Sequence, residues 1–185
     1  MNKDDRRVRK TKKVLRDGLA ELMLEKELRN ITVRELVDKV DIHRATFYVH
    51  YQDIYDLYEQ IENSVVKEII TQMDDVSLSD EQFYHKLVEY IYDNKMICRI
   101  LLTQKGTRSF RQRIEAEMEI RYVRDFGTEY YKDRDINEFR SLVQYHISGC
   151  LTIIQKWVES NFDGTKEEIS RMVGLVDSNF EKLIH

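Results

Sequence analysis

An all-α fold is predicted by three observations: no proline in 185 residues, only six glycines, and apolar residues recurring three and four apart along most of the chain. Proline breaks helices and glycine weakens them, so their scarcity leaves long stretches free to coil. An apolar share of 42% is enough to build a core, and the length suits one domain or two small ones. The pattern divides into an N-terminal three-helix segment, residues 1–52, and a C-terminal helical bundle, residues 53–185.

The first helix precedes Thr32 and carries Thr11, Leu15 and Leu19. The stretch Thr32 to Tyr51, TVRELVDKVDIHRATFYVHY, then reads as two short helices joined by a tight corner. Thr32 caps the first of them and Glu35 stands three residues on, the spacing of a capping box, with Ile31 and Leu36 placed as a hydrophobic staple. Val33, Leu36, Val37 and Val40 form its apolar face, while Arg34, Glu35, Asp38 and Lys39 stay in water. Asp41 falls at the corner, where the left-handed conformation is needed and Asp tolerates it. Ile42 plugs the corner. The second helix begins at His43 or Arg44 and ends near Tyr51, and it is too short and polar to serve the core alone.

Charge points the same way. Residues 1–50 hold 13 Lys and Arg against 9 Asp and Glu, whereas residues 51–185 hold 17 against 25. The excess concentrates in residues 1–16, where Lys3, Arg6, Arg7, Arg9, Lys10, Lys12, Lys13 and Arg16 face only Asp4 and Asp5. A basic arm beside a helix of groove-reading size suits duplex DNA: the arm neutralises phosphates without reading sequence, and the helix enters the major groove. Arg44 at the helix start can pair with guanine, and Thr46, Tyr48 and His50 can meet phosphate or thymine methyl groups.

These residues carry a resemblance. Thr46, Phe47, Tyr48, His50 and Tyr51 follow in order the Thr-aromatic-Tyr-x-His-aromatic pattern of the recognition helix in the TetR/AcrR family of bacterial transcriptional regulators, and Asp53 and Leu57 continue it. The close match covers roughly the first 60 residues. It implies DNA contacts from Thr32, Arg34, His43, Arg44, Thr46, Phe47, Tyr48, His50, Tyr51 and Lys12, with core packing as the competing role for Phe47 and Tyr51. It also implies a second domain that encloses a small-molecule effector. Three positions depart from the family pattern: Asp41 where Gly is usual, His43 where a small cap such as Ser is usual, and Ile54 where a phosphate-binding Lys is common.

The next helix runs from Asp53 to about Asp74 with Ile54, Leu57, Ile61, Val65, Ile69 and Met73 inward, a connection suited to carry a rigid-body shift between reader and sensor. Ser79 with Gln82 signals another start, followed by Phe83, Leu87, Tyr90 and Ile91 facing inward, and Asn94 ends that helix. A short apolar piece spans Met96 to Leu102. After a break at 104–107, Phe110, Ile114, Met118, Tyr122, Phe126 and Tyr130 step by four. Asp135 with Glu138 opens a helix that is apolar on two sides. One side has Phe139, Val143, His146, Cys150 and Ile153; the other has Ile147, Leu151, Ile154 and Val158. Thr165 with Glu168 opens the last helix, with Met172, Leu175, Val176, Phe180 and Leu183.

A helix apolar on two sides needs two partners. Ser148, Gly149 and Thr152 permit close approach, so a two-fold dimer is expected through Ile147, Leu151, Ile154, Val158, Met172, Val176 and Phe180, which would pair two readers on a palindromic operator. Candidate effector-lining residues are Tyr90, Cys98, Phe110, Tyr122, His146 and Trp157, with core packing as the competing role for each. His146 stands out because a polar ring on an apolar face needs a partner.

No cofactor, metal site or catalytic motif is expected. The glycines form no phosphate loop, and there is no HExxH, CxxC pair or nucleophile elbow. Cys98 and Cys150 fit neither a disulfide framework nor a zinc site, and His43 and His50 lack partners at metal-ligand spacing. The start MNKDDRRVRK has no signal-peptide core, and no run approaches the roughly 18 apolar residues of a membrane span, so a cytoplasmic location is expected. The residues thus predict a DNA-binding regulator, and the resemblance implies a repressor released from its operator by an effector; a helical protein-interaction module is the alternative.

Overall fold

The computed structural model describes the backbone of residues 3–74, 80–103, 108–130 and 135–184, and the side chains within those ranges apart from residues 3–4, 73, 80, 108–109, 125–130 and 181–184. The Ser79 cap, the 104–107 break, and the side chains of Met73, Phe126, Tyr130 and Leu183 lie outside the described residues. Among the described residues all regular structure is helical: α1 (Lys3–Glu25), a short 3-10 turn (Leu28–Asn30), α2 (Val33–Lys39), α3 (Arg44–His50), α4 (Ile54–Met73), α5 (Asp80–Asp93), α6 (Lys95–Leu102), α7 (Arg108–Tyr130), α8 (Ile136–Glu159) and α9 (Lys166–Ile184). The chain divides into two compact units, residues 1–65 and 66–185. The division falls inside α4, between Val65 and Val66, and Ile54, Leu57, Tyr58, Ile61 and Val65 of its first half are buried.

In the first unit α1 packs on α2 and α2 on α3. Leu15, Leu19, Met23, Leu36 and Phe47 are fully buried at its centre. Gly18 lets α1 and α2 approach closely: a Cβ there would stand 2.2 Å from Val40 Cγ1 and 3.2 Å from Leu36 Cδ1. Lys39 Nζ pairs with Glu21 at 2.9 Å, and Lys26 pairs with Glu35.

In the second unit α8 packs against α6, α7 and α9, and α5 packs along α9. This neighbourhood corrects the expected interface. Ile147, Leu151, Ile154, Val158 and Phe180 are all buried within the chain, because α8's two apolar sides are covered by its own bundle. Thr165 and Glu168 form the expected reciprocal box at α9: Glu168 N donates to Thr165 Oγ1 at 3.2 Å and Thr165 N to Glu168 Oε2 at 2.8 Å. Along α9 the buried positions are Ile169, Ser170, Val173, Asp177 and Phe180, so Met172 and Leu175 face outward. In α5 it is Tyr84 and Val88 that join Leu87 and Ile91 inside, with Phe83 half-buried.

Candidate nucleic-acid interface

Three local devices set the corner between α2 and α3. Glu35 N donates to Thr32 Oγ1 at 3.2 Å, capping α2; only half of the expected box forms, because the Glu35 carboxylate turns to Lys26, whose hydrogen bond lowers its pKa. Asp41 takes φ 53°, the left-handed conformation expected of it. Ile42 N then donates to Val37 O at 3.0 Å, the six-to-one bond of a Schellman ending. Asp53 and Asp56 open α4: Asp56 N donates to Asp53 Oδ1 at 2.9 Å and Gln52 N to Asp56 Oδ2 at 2.8 Å. The Gln52 N–H, helped by Gln60, holds the Asp56 carboxyl below its ordinary pKa.

On α3 the side chains sort by burial. Phe47 is fully buried, which removes it from the expected DNA contacts, and Tyr51, which follows α3, is 6% exposed; the two anchor the helix, their rings 5.6 Å apart. Burial, with Asp56 nearby, also raises the Tyr51 phenol's pKa. His43, Arg44, Ala45, Tyr48 and Val49 face solvent, and Thr46 and His50 are half-buried. Arg44 Nη2 donates to Tyr48 Oη at 2.9 Å, and the guanidinium lies 5.4 Å from that ring's centroid. His43 makes no side-chain cap bond. Val49, 75% exposed, was not among the expected contacts. An exposed apolar residue in the polar run of α3 is the signal that marks it, and its methyls suit a thymine methyl. Thr32 and Arg34 are exposed at the start of α2, with Arg34 Nε 3.7 Å from Asp38.

Arg9, Lys12, Lys13 and Arg16 of α1 line a concavity of about 340 Å³ with Tyr51, Gln60, Ile61 and Ser64. Lys12 Nζ stands 5.7 Å from the Tyr51 ring centroid. The concavity is large enough for a phosphate group, and its walls supply cations.

In the second unit the expected effector-lining residues separate. Tyr122 and His146 come together, whereas Trp157 belongs to another cluster, stacked on Tyr92 with ring centroids 6.1 Å apart. Cys98 and Phe110 are buried in the core and Tyr90 is half-buried. Around His146 a buried polar network joins four helices. Tyr122 Oη of α7 donates to Asp177 Oδ1 of α9 at 2.8 Å, and His146 Nε2 of α8 lies 2.8 Å from Tyr122 Oη and 3.0 Å from Asp177 Oδ1. Tyr84 of α5 also hydrogen-bonds Asp177. Burial pushes the Asp177 carboxyl up, but the hydrogen bonds from His146, Tyr84 and Tyr122 outweigh it and its pKa lies below the ordinary value. Burial and Asp177 raise both tyrosines. Burial, with Asp177, also pushes the Cys150 thiol up to about 12. The histidine therefore has the partner it needs, and two members of the network, Tyr84 and Asp177, were not among the expected residues.

The second unit also decides the family. A TetR-type family model, described as a transcriptional regulator C-terminal region, matches residues 79–176, more than half of the chain. The chain belongs to the TetR-type transcriptional regulators. This regulator is 21% identical over 169 residues to the "Uncharacterized HTH-type transcriptional regulator YxbF" of Bacillus subtilis strain 168; the match takes in 86% of this chain but only 42% of that one. Its fold is similar to that of DhaS, the dihydroxyacetone kinase operon activator, with TM-score 0.61 and 17% identity over 92% of this chain and 96% of that one. It is also similar to the TetR family repressor AlkX of Dietzia sp. strain DQ12-45-1b, with TM-score 0.53 and 10% identity over 93% and 98%. Among the described residues of this TetR-type regulator, no helix is long and apolar enough to cross a membrane, and no group of His, Cys, Asp and Glu could hold a metal ion.

Proposed function

We propose that this TetR-type regulator binds a palindromic operator as a homodimer, represses from it, and is released by an effector held in its second unit. The carrying observation is the sorting of α3: its apolar anchor Phe47 is buried while Arg44, Tyr48 and Val49 are presented to solvent, on a unit whose α1 adds four clustered cations. A helix so anchored offers a rigid reading face, and the cations supply phosphate affinity.

For the dimer, burial inside the bundle takes away Ile147, Leu151, Ile154, Val158 and Phe180 but leaves the expected Met172 and Val176, with Ser148 and Thr152 beside them, outside the core. Tyr145 of α8 is 76% exposed and Met172 of α9 is 45% exposed. Between them a Cβ on Gly149 would approach Val176 Cγ1 at 3.8 Å, so α8 and α9 lie side by side there. A two-fold partner seated on Tyr145, Ser148, Thr152, Met172 and Val176 would form a four-helix contact. Continuity of α4 from the first unit into the second supports mechanical coupling between effector and reader.

Activation is the second reading, favoured by the fold likeness to DhaS, which is named an operon activator. A promoter-reporter assay with and without the regulator separates the two signs of control. DNA binding itself is tested by fluorescence anisotropy on duplex DNA: affinity should fall by orders of magnitude between about 50 and 200 mM salt. An affinity that salt leaves unchanged would favour a protein-interaction module.

A further inference from the structure

The buried network has an outlet. A cleft of about 930 Å³ lies between α5 and α9, with Glu81, His85, Lys86, Ser170, Gly174 and Asp177 among its lining residues. None of the six residues expected to line an effector pocket borders it. Its size is that of a small-molecule site. Asp177, only 7% exposed, is where the cleft meets the network.

Two features make this a built site. A carboxylate has about four acceptor positions, and Tyr122, His146 and Tyr84 occupy three of them, which leaves one on a residue that also lines the cleft. Gly174, in the middle of α9, is a poorer helix former than Ala. A Cβ there would sit in contact with the Tyr84 ring, at 3.7 Å, so a side chain at this lining position would take space between the cleft and the network.

Charge selects the occupant. The lining holds the carboxylates of Glu81, Glu167 and Asp177 against Lys86 and Arg171. Lys86 and Arg171 are exposed and screened by solvent, while Asp177 is buried and fixed, so its field dominates at the floor. We propose that the cleft binds a small organic cation, an ammonium or amidinium on an apolar body, with the charged head on Asp177 and the body against Gly174 and Leu175. Binding there rests on the cleft alone; only its consequence for DNA rests on the proposed effector-controlled reading.

Calorimetry without DNA tests it, using a size series of aryl and alkyl ammonium and amidinium salts, from benzylammonium upward, each with its matched alcohol and carboxylate. At least one cation should bind ten-fold or more tighter than both of its matched controls. Asp177→Asn should weaken that cation at least ten-fold. Ser178→Trp, an exposed lining position outside the network, should block it in a protein whose circular dichroism and unfolding midpoint are unchanged. No preference for cations anywhere in the series, or unchanged binding in folded Ser178→Trp, overturns the proposal. Duplex binding measured in parallel keeps the two readings apart: failure there with cation binding intact rejects the operator reading and leaves the cleft.

Discussion

Arg44 Nη2 donates a 2.9 Å hydrogen bond to Tyr48 Oη one turn further along α3. Both side chains are exposed, so the bond is made in water and its worth lies in orientation: the guanidinium is held over the ring before any DNA arrives. Arg44→Ala should relax base preference at one position of each half-site at a cost of about 1–3 kcal/mol. Tyr48→Phe, which removes only the acceptor, should weaken specific binding less than Arg44→Ala does. Binding to duplexes with single base changes checks both.

Lys12 contributes differently, standing in a basic concavity rather than on α3. Lys12→Ala should weaken all duplexes about equally and lower the slope of log affinity against log salt by about 1. A changed base preference in this variant would contradict the division between reading and phosphate binding.

Gly18 sets the spacing of α1 and α2. A Cβ there meets Val40 Cγ1 at 2.2 Å, and a β-branched side chain in a helix turn cannot swing aside cheaply. Gly18→Ala gains about 1 kcal/mol of helix propensity but should lose more, on the order of 1–3 kcal/mol, to overpacking. The expected result is a lower urea midpoint for the first unit. At the corner, Asp41→Val should cost about 1–2 kcal/mol because φ is 53° there.

Much of the first unit was legible in the sequence because its signals are local. Thr32, Asp41 and Ile42 act within six residues of their partners, and turn chemistry over that range follows from residue type alone. Thr165 and Glu168 were legible for the same reason. The buried network was not, because its members come from four helices separated by up to 93 positions, Tyr84 to Asp177, and no spacing rule links them. The stripe Ile169, Val173, Asp177, Phe180 does put a carboxylate on the inner face of α9. Reading Met172, Leu175, Val176, Phe180 and Leu183 as the apolar stripe placed Phe180 correctly but took Met172 and Val176 in place of their neighbours Val173 and Asp177, and so hid it. The expected dimer residues of α8 failed for a related reason: two apolar sides show that two partners exist, not that one is another chain.

Asp177 makes stability depend on pH. Its folded pKa is lower than its unfolded one, so it contributes stability in full above about pH 4, the ordinary Asp value, and that contribution is lost as pH falls through the depressed folded value. Asp177→Asn should lower stability at pH 7 by on the order of 2–3 kcal/mol and should lose less than the native chain as pH drops from 5 to about 3. Thermal unfolding across that window shows whether the two curves converge.

Cys150 should be inert. With its pKa pushed up to about 12 and 4% exposure, it carries almost no thiolate at neutral pH. Labelling of the folded protein by a disulfide reagent at pH 8 should track global unfolding, and rapid reaction at Cys150 would show the bundle opening at α8.

If α3 reads sequence as one half of a two-fold pair, the duplexes it retains must be palindromic. Selection of bound duplexes from a random pool at two salt concentrations tests it most directly. One enriched palindrome is expected at both salts, its half-sites about one helical turn or a multiple apart. Recovery of unrelated sequences at low salt and nothing at high salt would contradict it.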